Sequence, residues 1–235
     1  MASTVLILGA SSDIGLSVVD YYIDNNWKVV AHGNSSVERL NHISELITPF
    51  KLDMSSSEEV LVFIKNNQSL FDNINAIVNC LGLLEPKKYF DIDYEYIKKT
   101  FNVNLFSPLL FNSQLIQQMV NCGWGRVVNL GSIGVKYGGS TNSVCYSMTK
   151  HSLEFMPTDY KKWATHNVLY NTVRVGVTDT RIHGVDKTKD MGKRISMIPM
   201  KRMATTQEIA KFVYWLGSNE NTYITGQVLS ISGGE

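Results

Sequence analysis

Short apolar runs alternate with longer amphipathic stretches from one end of the chain to the other. The short runs are rich in β-branched residues and bounded by turn residues, which is typical of buried strands. They lie at residues 4–8, 27–32, 74–79, 125–130, 168–175 and 227–232, with a weaker candidate at 50–53. The longer stretches repeat apolar positions with helical spacing. They predict helices at about 14–25, 36–47, 57–68, 93–121, 143–164 and 206–217.

This alternation predicts one fold class. A strand that is apolar at nearly every position is buried on both faces, as in parallel sheets covered by helices on both sides. We therefore predict a doubly wound α/β fold, with a parallel sheet of about seven strands. Because the alternation runs from end to end, and because 235 residues with 44% hydrophobic content can bury one large core, we expect a single domain over 1–235.

The balance of charges excludes some classes of function. The chain has 22 basic and 21 acidic residues and a net charge of +1, so no basic excess indicates binding to nucleic acid or to a membrane surface. No apolar segment is as long as a membrane span, and the N-terminal apolar run is interpreted as a strand rather than a signal peptide.

Cysteine and histidine usage narrows the chemistry further. The cysteines are few and lack paired spacing, which fits reduced thiols in a cytoplasmic protein: Cys80, Cys122 and Cys145. The histidines lack metal-ligand spacing, so no metal site is predicted: His32, His42, His151, His166 and His183.

A glycine-rich turn follows the first strand and opens the first helix. The stretch LGASSDIG spans residues 8–15. Glycines at such a turn let the backbone approach a pyrophosphate, which the N–H groups at the helix start attract. The candidate ligands of a dinucleotide are therefore Gly9, Ser11, Ser12, Asp13, Ile14 and Gly15. The alternative is that Gly9 only turns the chain and Asp13 only caps the helix.

The residues after the second strand indicate which dinucleotide binds. An acidic residue about 20 positions after the glycine turn would bind the ribose 2′-hydroxyl of NAD. Here the chain offers Asn34, Ser35 and Ser36, with no carboxylate before Glu38. These side chains can hydrogen-bond a phosphate, and Arg39 is close enough to reach it. The pattern favours NADP(H) over NAD(H).

Tyr146 and Lys150 lie four residues apart in the stretch CYSMTK. On a helix this interval places both side chains on one face. A nearby ammonium favours the phenolate, which makes a tyrosine usable as an acid or base near neutral pH. Taken alone, such a pair also occurs by chance on solvated helix faces.

Several separated motifs lie in register with this pair. The glycine turn resembles T-G-x-x-x-G-x-G, and KLDMSS carries Asp53 after strand three. VNCLG resembles N-N-A-G, with Asn79 and Gly82 retained. FNVNLFSP carries Asn104, NLGSIG carries Ser132, and YSMTK matches Y-x-x-x-K. RVGVTDT, with Val177 and Thr180, resembles P-G-x-x-x-T with Val175 in place of proline, and TGQVLSISGG resembles a terminal strand motif. Along its whole length the chain resembles the short-chain dehydrogenase/reductase family in its compact form.

The resemblance implies a Rossmann-type fold and an NAD(P)-dependent oxidoreductase. It implies that Tyr146 gives a proton to a carbonyl oxygen while the nicotinamide gives a hydride to the carbon. Lys150 would lower the pKa of Tyr146 and bind the nicotinamide ribose, Ser132 would donate to the substrate oxygen, and Asn104 would hold a water connecting Lys150 to solvent. The further cofactor ligands implied are Asp53, Asn79, Gly82, Val177 and Thr180. The family expectation is a homotetramer, with a homodimer as the alternative.

The sequence leaves several classes of substrate possible. Within the family the general likeness is to 3-oxoacyl-acyl-carrier-protein reductases, which generally place basic residues before strands five and six. Here only Arg126 is charged in those segments, so a small polar metabolite or sugar-like carbonyl compound is favoured. The charged, Met-rich segment at about 180–203 is predicted to cover the substrate. An epimerase or dehydratase would need a longer chain, and a non-catalytic NAD(P) sensor commonly loses the tyrosine or lysine retained here.

Overall fold

The structure, a computed structural model, describes residues 3–41 and 44–235. In that part of the chain seven strands form one parallel sheet in the order β3-β2-β1-β4-β5-β6-β7. The strands are β1 (Thr4–Leu8), β2 (Lys28–Gly33), β3 (Ile47–Lys51), β4 (Ile74–Asn79), β5 (Gly125–Leu130), β6 (Val168–Val175) and β7 (Val228–Ile231). The helices are α1 (Asp13–Asp24), α2 (Ser57–Asn66), α3 (Tyr94–Phe101), α4 (Ser107–Cys122), α5 (Val144–Ser152), α6 (Tyr160–Ala164), α7 (Met191–Met197) and α8 (Thr206–Gly217).

The sheet is buried on both faces, which confirms the predicted doubly wound α/β fold. Side chains of α1 and α8 form the core on one face, and side chains of α2 and α4 form the core on the other. Fully buried Tyr22 of α1 ties the first pair together by donating its O–H to the carbonyl of Gly217 at 3.0 Å. The strand order reverses between β1 and β4, and such a reversal leaves a crevice at the carboxyl ends of the strands.

The prediction of a helix at 36–47 is wrong. Only a 3-10 turn forms, at Val37–Leu40, and β3 already begins at Ile47, where it pairs with Val29 of β2. His42 of that stretch lies outside the described residues. The weak strand predicted at 50–53 is β3, which lies at the sheet edge and places Pro49 opposite Ala31.

Two long predicted helices are each divided. The helix predicted at 93–121 consists of α3 and α4 joined by a π-helical turn at Asn102–Phe106, where the N–H of Ser107 bonds to the carbonyl of Asn102 five residues earlier. Pro108 explains the wider turn, because it has no N–H to donate to the carbonyl of Asn104. The helix predicted at 143–164 is α5 and α6, separated by a stretch with Pro157, which cannot continue a helix.

Membrane-spanning helices and metal-binding clusters are both absent from the described residues. No helix there combines the length and apolar character needed to cross a membrane. No group of His, Cys, Asp or Glu side chains in residues 3–41 and 44–235 has the arrangement of a metal site.

Candidate active site

A cavity of about 500 Å³ lies in the crevice at the carboxyl ends of the central strands. Residues 34–36, after β2, line one end, and the glycine turn lines the middle. Ser132, Tyr146 and Lys150 line the other end. The chain thus brings polar side chains from five parts of the fold to a single groove.

The backbone of the glycine turn is compact. Gly9 has a φ of +75°, and a β-carbon there would lie 3.0 Å from the main chain of Cys80. A β-carbon on Gly15 would lie 2.2 Å from the carbonyl oxygen of Gly9, so Gly15 lets the first turn of α1 pack against β1. Ser12 caps this helix, because its Oγ accepts the N–H of Gly15 at 3.1 Å. The alternative in which Asp13 is the cap is therefore wrong.

Asp13 instead faces two arginines across the mouth of the cavity. Its Oδ1 accepts from Nη1 of Arg39 at 3.2 Å and from Nε of Arg181 at 2.9 Å, and its Oδ2 accepts the N–H of Arg181 at 2.9 Å. Partial burial raises the pKa of Asp13, but the hydrogen bonds from the two arginines outweigh it and lower the pKa below its usual value. The carboxylate that would have repelled a pyrophosphate is thus neutralised, and the three side chains together carry a net positive charge.

His32 holds the glycine turn in place through a hydrogen bond, a role that the sequence did not indicate. The ring is buried, its Nδ1 accepts the N–H of Gly9 at 3.0 Å, and its Nε2 lies 2.9 Å from the carbonyl of Leu52. These partners require the neutral tautomer with hydrogen on Nε2. Burial lowers the pKa of His32 to about 4, so the ring stays neutral near pH 7.

Lys150 is buried in α5 and points at the ends of two strands. Its Nζ donates to the carbonyl of Leu81 at 2.6 Å and to that of Leu130 at 2.7 Å. Burial lowers the pKa of Lys150 to about 8. Gly82 passes beside the ammonium, since a β-carbon there would lie 3.8 Å from Nζ.

Tyr146 lies one helical turn before Lys150, as its spacing predicted, and Nζ of Lys150 is 5.8 Å from the centre of its ring. Burial raises the pKa of Tyr146 to about 12, and only the side chain of Ser132 acts in the opposite direction. The two main-chain carbonyls hold the ammonium of Lys150, and its expected effect on the pKa of Tyr146 stays a prediction. Ser132 also caps the following turn, with its Oγ accepting the N–H of Gly134 at 3.2 Å.

Asn104 lies in the π-helical turn and does not line the cavity. It is fully buried, and its Oδ1 accepts the N–H of Leu83 at 2.7 Å. Its Nδ2 donates to the carbonyl of Leu83 at 3.0 Å and to Oγ1 of Thr149 at 3.1 Å. Asn104 thus joins the loop after β4 to α5, the helix that carries Tyr146 and Lys150.

The other predicted cofactor residues divide into two groups. Those that line the cavity are Gly9, Ser11, Ser12, Asp13, Ile14, Asn34, Ser35, Gly82, Tyr146, Lys150 and Thr180. Those that do not are Gly15, Asp53, Asn79 and Val177. Asp53 is exposed and accepts the N–H of Ser55 at 2.8 Å, and Asn79 accepts that of Leu81 at 3.1 Å. Both side chains therefore shape loops beside the cavity.

Arg181 is a cavity residue that sequence reasoning missed. It directly follows Thr180 in the motif after β6, and that position was its only signal. The cysteines, in contrast, offer no nucleophile at the site. Burial raises the pKa of Cys80 to about 12 and also raises that of Cys145, so both stay thiols.

Comparisons with known proteins place this site in context. The sequence model of a family described as Enoyl-(Acyl carrier protein) reductase matches residues 9–235. The chain is 29% identical over 233 residues to a 3-oxoacyl-[acyl-carrier-protein] reductase of Aquifex aeolicus (99% of this chain, 87% of the relative). It is 27% identical over 245 residues to an acetoacetyl-CoA reductase of Allochromatium vinosum (100% of this chain, 98% of the relative).

A solved structure described as ElxO with NADP bound is similar over 100% of this chain and 98% of that one, with a TM-score of 0.85 and 25% identity. The family match covers nearly the whole chain, and the relatives match it from end to end. The chain belongs to the short-chain dehydrogenase/reductase family and is an NAD(P)-dependent oxidoreductase.

Proposed function

We propose that this chain catalyses the NADPH-dependent reduction of a carbonyl compound to an alcohol, or the reverse reaction. The observation that carries the proposal is the convergence of Tyr146, Ser132 and Lys150 on a cavity that continues to the glycine turn. A phenol and a hydroxyl can donate to a carbonyl oxygen as negative charge develops on it, which is what hydride transfer to the carbon requires.

The residues along the cavity fit a nicotinamide dinucleotide. The N–H groups of Asp13 and Ile14, in the first turn of α1, have no intrahelical acceptor, and such groups bind phosphate. The left-handed φ of Gly9 brings the backbone close to that position. A dinucleotide bound there would supply the hydride, and Lys150 would hold its nicotinamide ribose.

Tyr146 would donate its proton to the carbonyl oxygen during reduction. A pKa of about 12 keeps the phenol protonated near neutral pH, so the acid form is ready in the reducing direction. Ser132 would donate a second hydrogen bond to the same oxygen and share its developing charge. Asn104 would act at a distance, by fixing α5 against the loop after β4.

The preference for NADPH is supported by charges near residues 34–36. The cavity wall there has hydroxyl and amide groups and no carboxylate, and Arg39 lies next to it. Nη1 of Arg39 donates to the carbonyl of Ser11 at 2.7 Å, which fixes the guanidinium above the glycine turn. A 2′-phosphate would find a cation and several donors at this end.

We expect Arg39→Ala to weaken NADPH binding by roughly ten- to a hundredfold, the usual value of a charge-assisted hydrogen bond to phosphate. NADH binding changes by much less, because NADH lacks the 2′-phosphate. Fluorescence titration of both cofactors measures the ratio, and Lys65→Ala, which removes an exposed charge on α2, is the control. Equal losses for the two cofactors would exclude Arg39 as the residue that distinguishes them.

For the substrate we retain a small polar carbonyl compound. Arg126, the one charged residue where carrier-protein reductases place basic residues, is 2% exposed and bonded to main-chain carbonyls. It is therefore not available to an acidic carrier. The second candidate is a 3-oxoacyl thioester, which the names of the relatives from Aquifex aeolicus and Allochromatium vinosum favour.

The test begins with fluorescence titration of the purified protein with NADPH and NADH. Oxidation of NADPH is then followed by absorbance with ketones, ketosugars, keto acids and acetoacetyl-CoA. Turnover of any carbonyl compound supports the proposal, and the relative kcat/KM values separate the two substrate candidates. Failure to bind either cofactor would refute the proposal, and binding without any turnover would favour the sensor.

A further inference from the structure

A second cavity, of about 680 Å³, adjoins the first at its catalytic end. Ser132 and Tyr146 line both cavities. The far wall of the second cavity comes from the segment after β6, including α7, and from Gly234 and Glu235. A substrate whose carbonyl reaches Tyr146 therefore extends its remaining atoms into this second space.

Three basic side chains line the second cavity: Lys136, Lys189 and Arg194. Lys189 is half-buried and has no ion-pair partner within 4.0 Å among the residues that the structure describes. Burial, together with the nearby charge of Arg194, lowers the pKa of Lys189. Arg194 already has Glu235 as its ion-pair partner, whereas Lys189 would be stabilised by an anion in the cavity.

The acidic side chains of the same cavity do not supply an anion to Lys189. Asp186 is occupied by its own turn, since its Oδ1 accepts Oγ1 of Thr188 at 2.6 Å and the N–H of Thr188 at 3.1 Å. Glu235 uses Oε1 on Nη2 of Arg194 at 2.5 Å. Three basic and two acidic side chains leave the cavity with a net positive charge.

The side chain of Glu235 is held within the wall of the second cavity. Its side chain is 6% exposed, and Oε2 is buried with no hydrogen-bond partner. An oxygen enclosed in this way is out of reach of a ligand, so Glu235 acts on the cavity through its ion pair with Arg194. His183, which also lines the cavity, is neutral because burial lowers its pKa to about 4, and it adds no competing charge.

We propose that the second cavity binds a carbonyl substrate that carries an anionic group, a carboxylate or a phosphate. Lys189 and Arg194 bind the anion. The assignment rests on the proposed function, because it uses Tyr146 as the point where the carbonyl lies. It narrows the substrate from polar carbonyl compounds in general to keto acids and phosphorylated ketones.

The test compares acids with their uncharged esters. Pyruvate, acetoacetate and levulinate place the carboxylate progressively farther from the carbonyl, and their methyl esters remove the charge with little change in shape. For the acid of best-fitting length we expect kcat/KM to exceed that of its ester by roughly tenfold or more. Lys189→Met should abolish this preference by raising KM for the acid, with kcat and the ester values unchanged.

Lys187→Met is the matched control, because Lys187 is exposed and lies outside the second cavity. It should keep the preference for the acid. The assignment would be overturned if the wild type reduced the esters as well as it reduced all three acids. It would also be overturned if Lys189→Met kept the preference for the acid.

A binding measurement keeps the inference testable if none of these compounds is reduced. The NADPH-loaded Tyr146→Phe variant is titrated with each acid and with inorganic phosphate, and the nicotinamide fluorescence reports binding. Binding that weakens roughly tenfold or more on adding Lys189→Met supports the anion site. No binding of any anion overturns the anion site, whereas failure of NADPH itself to bind counts against the proposed function.

Discussion

Replacing Tyr146 by phenylalanine is expected to lower kcat/KM for carbonyl reduction by about 10²–10⁴-fold, the usual contribution of a general acid. Phenylalanine keeps the ring that packs beside Lys150 and Gly82 and removes only the proton donor. The phenol lies where the two cavities meet, so its removal takes the proton donor away from the point at which the carbonyl would lie. The loss therefore falls on kcat, while the affinity for NADPH stays the same.

Steady-state kinetics with the best substrate of the panel, together with NADPH titration, measures both quantities. Tyr137→Phe is the control, because Tyr137 also lines the second cavity but is 60% exposed and lies outside the first. We expect that control to keep nearly full activity. Activity of Tyr146→Phe within tenfold of the wild type would assign the proton transfer to another group.

Arg126→Met is expected to lower the free energy of unfolding by about 3–5 kcal/mol, because each buried carbonyl that loses its donor costs about 1–3 kcal/mol. Arg126 lies in β5 with 2% exposure, and its guanidinium stacks 4.4 Å from the ring of Trp124. Its donors bond four main-chain carbonyls at 2.7–3.2 Å: those of Gly125, Asn167, Ser218 and Asn221. Methionine fills much of the volume but removes the guanidinium donors from these carbonyls, of which that of Asn167 keeps a main-chain donor, the N–H of Gly125.

Urea unfolding followed by circular dichroism measures the change. Arg202→Met is the control, since Arg202 is exposed and its pair with Glu208 lies at the surface. Exposed pairs contribute little, so this control should unfold close to the wild type. A similar, small effect of both substitutions would show that the carbonyls around Arg126 find other donors.

The sequence could predict those parts of the fold that depend on local patterns. The strands at 4–8, 74–79, 125–130 and 168–175 match the structure residue for residue, because each is a short run rich in buried Val, Ile and Leu. The prediction of a helix at 36–47 failed because the apolar residues there belong to a short 3-10 turn and to the start of β3. The predictions of two long helices failed at Pro108 and Pro157, because the effect of a proline on a helix depends on the packing around it.

The candidate site shows the same division. Tyr146, Ser132 and Lys150 were predicted from motifs, and the fold brings them to one cavity. The partners of Asp13 were not predictable, because Arg181 lies 168 residues away and only the folded sheet brings them together. The pKa of Tyr146 likewise depends on burial and on the side chain of Ser132, and neither is visible in a spacing of four residues.

Pro49 has a consequence for how this protein behaves at high concentration. Leu46 and Leu52 bond to β2 through their main-chain groups, so by alternation the N–H of residue 49 would point away from the sheet, toward its open edge. Proline has no N–H, and a second sheet that approached this edge would meet a gap in the row of donors. Edge-to-edge joining, the first step of many aggregates, is thus discouraged on the β3 side without any loss of pairing to β2.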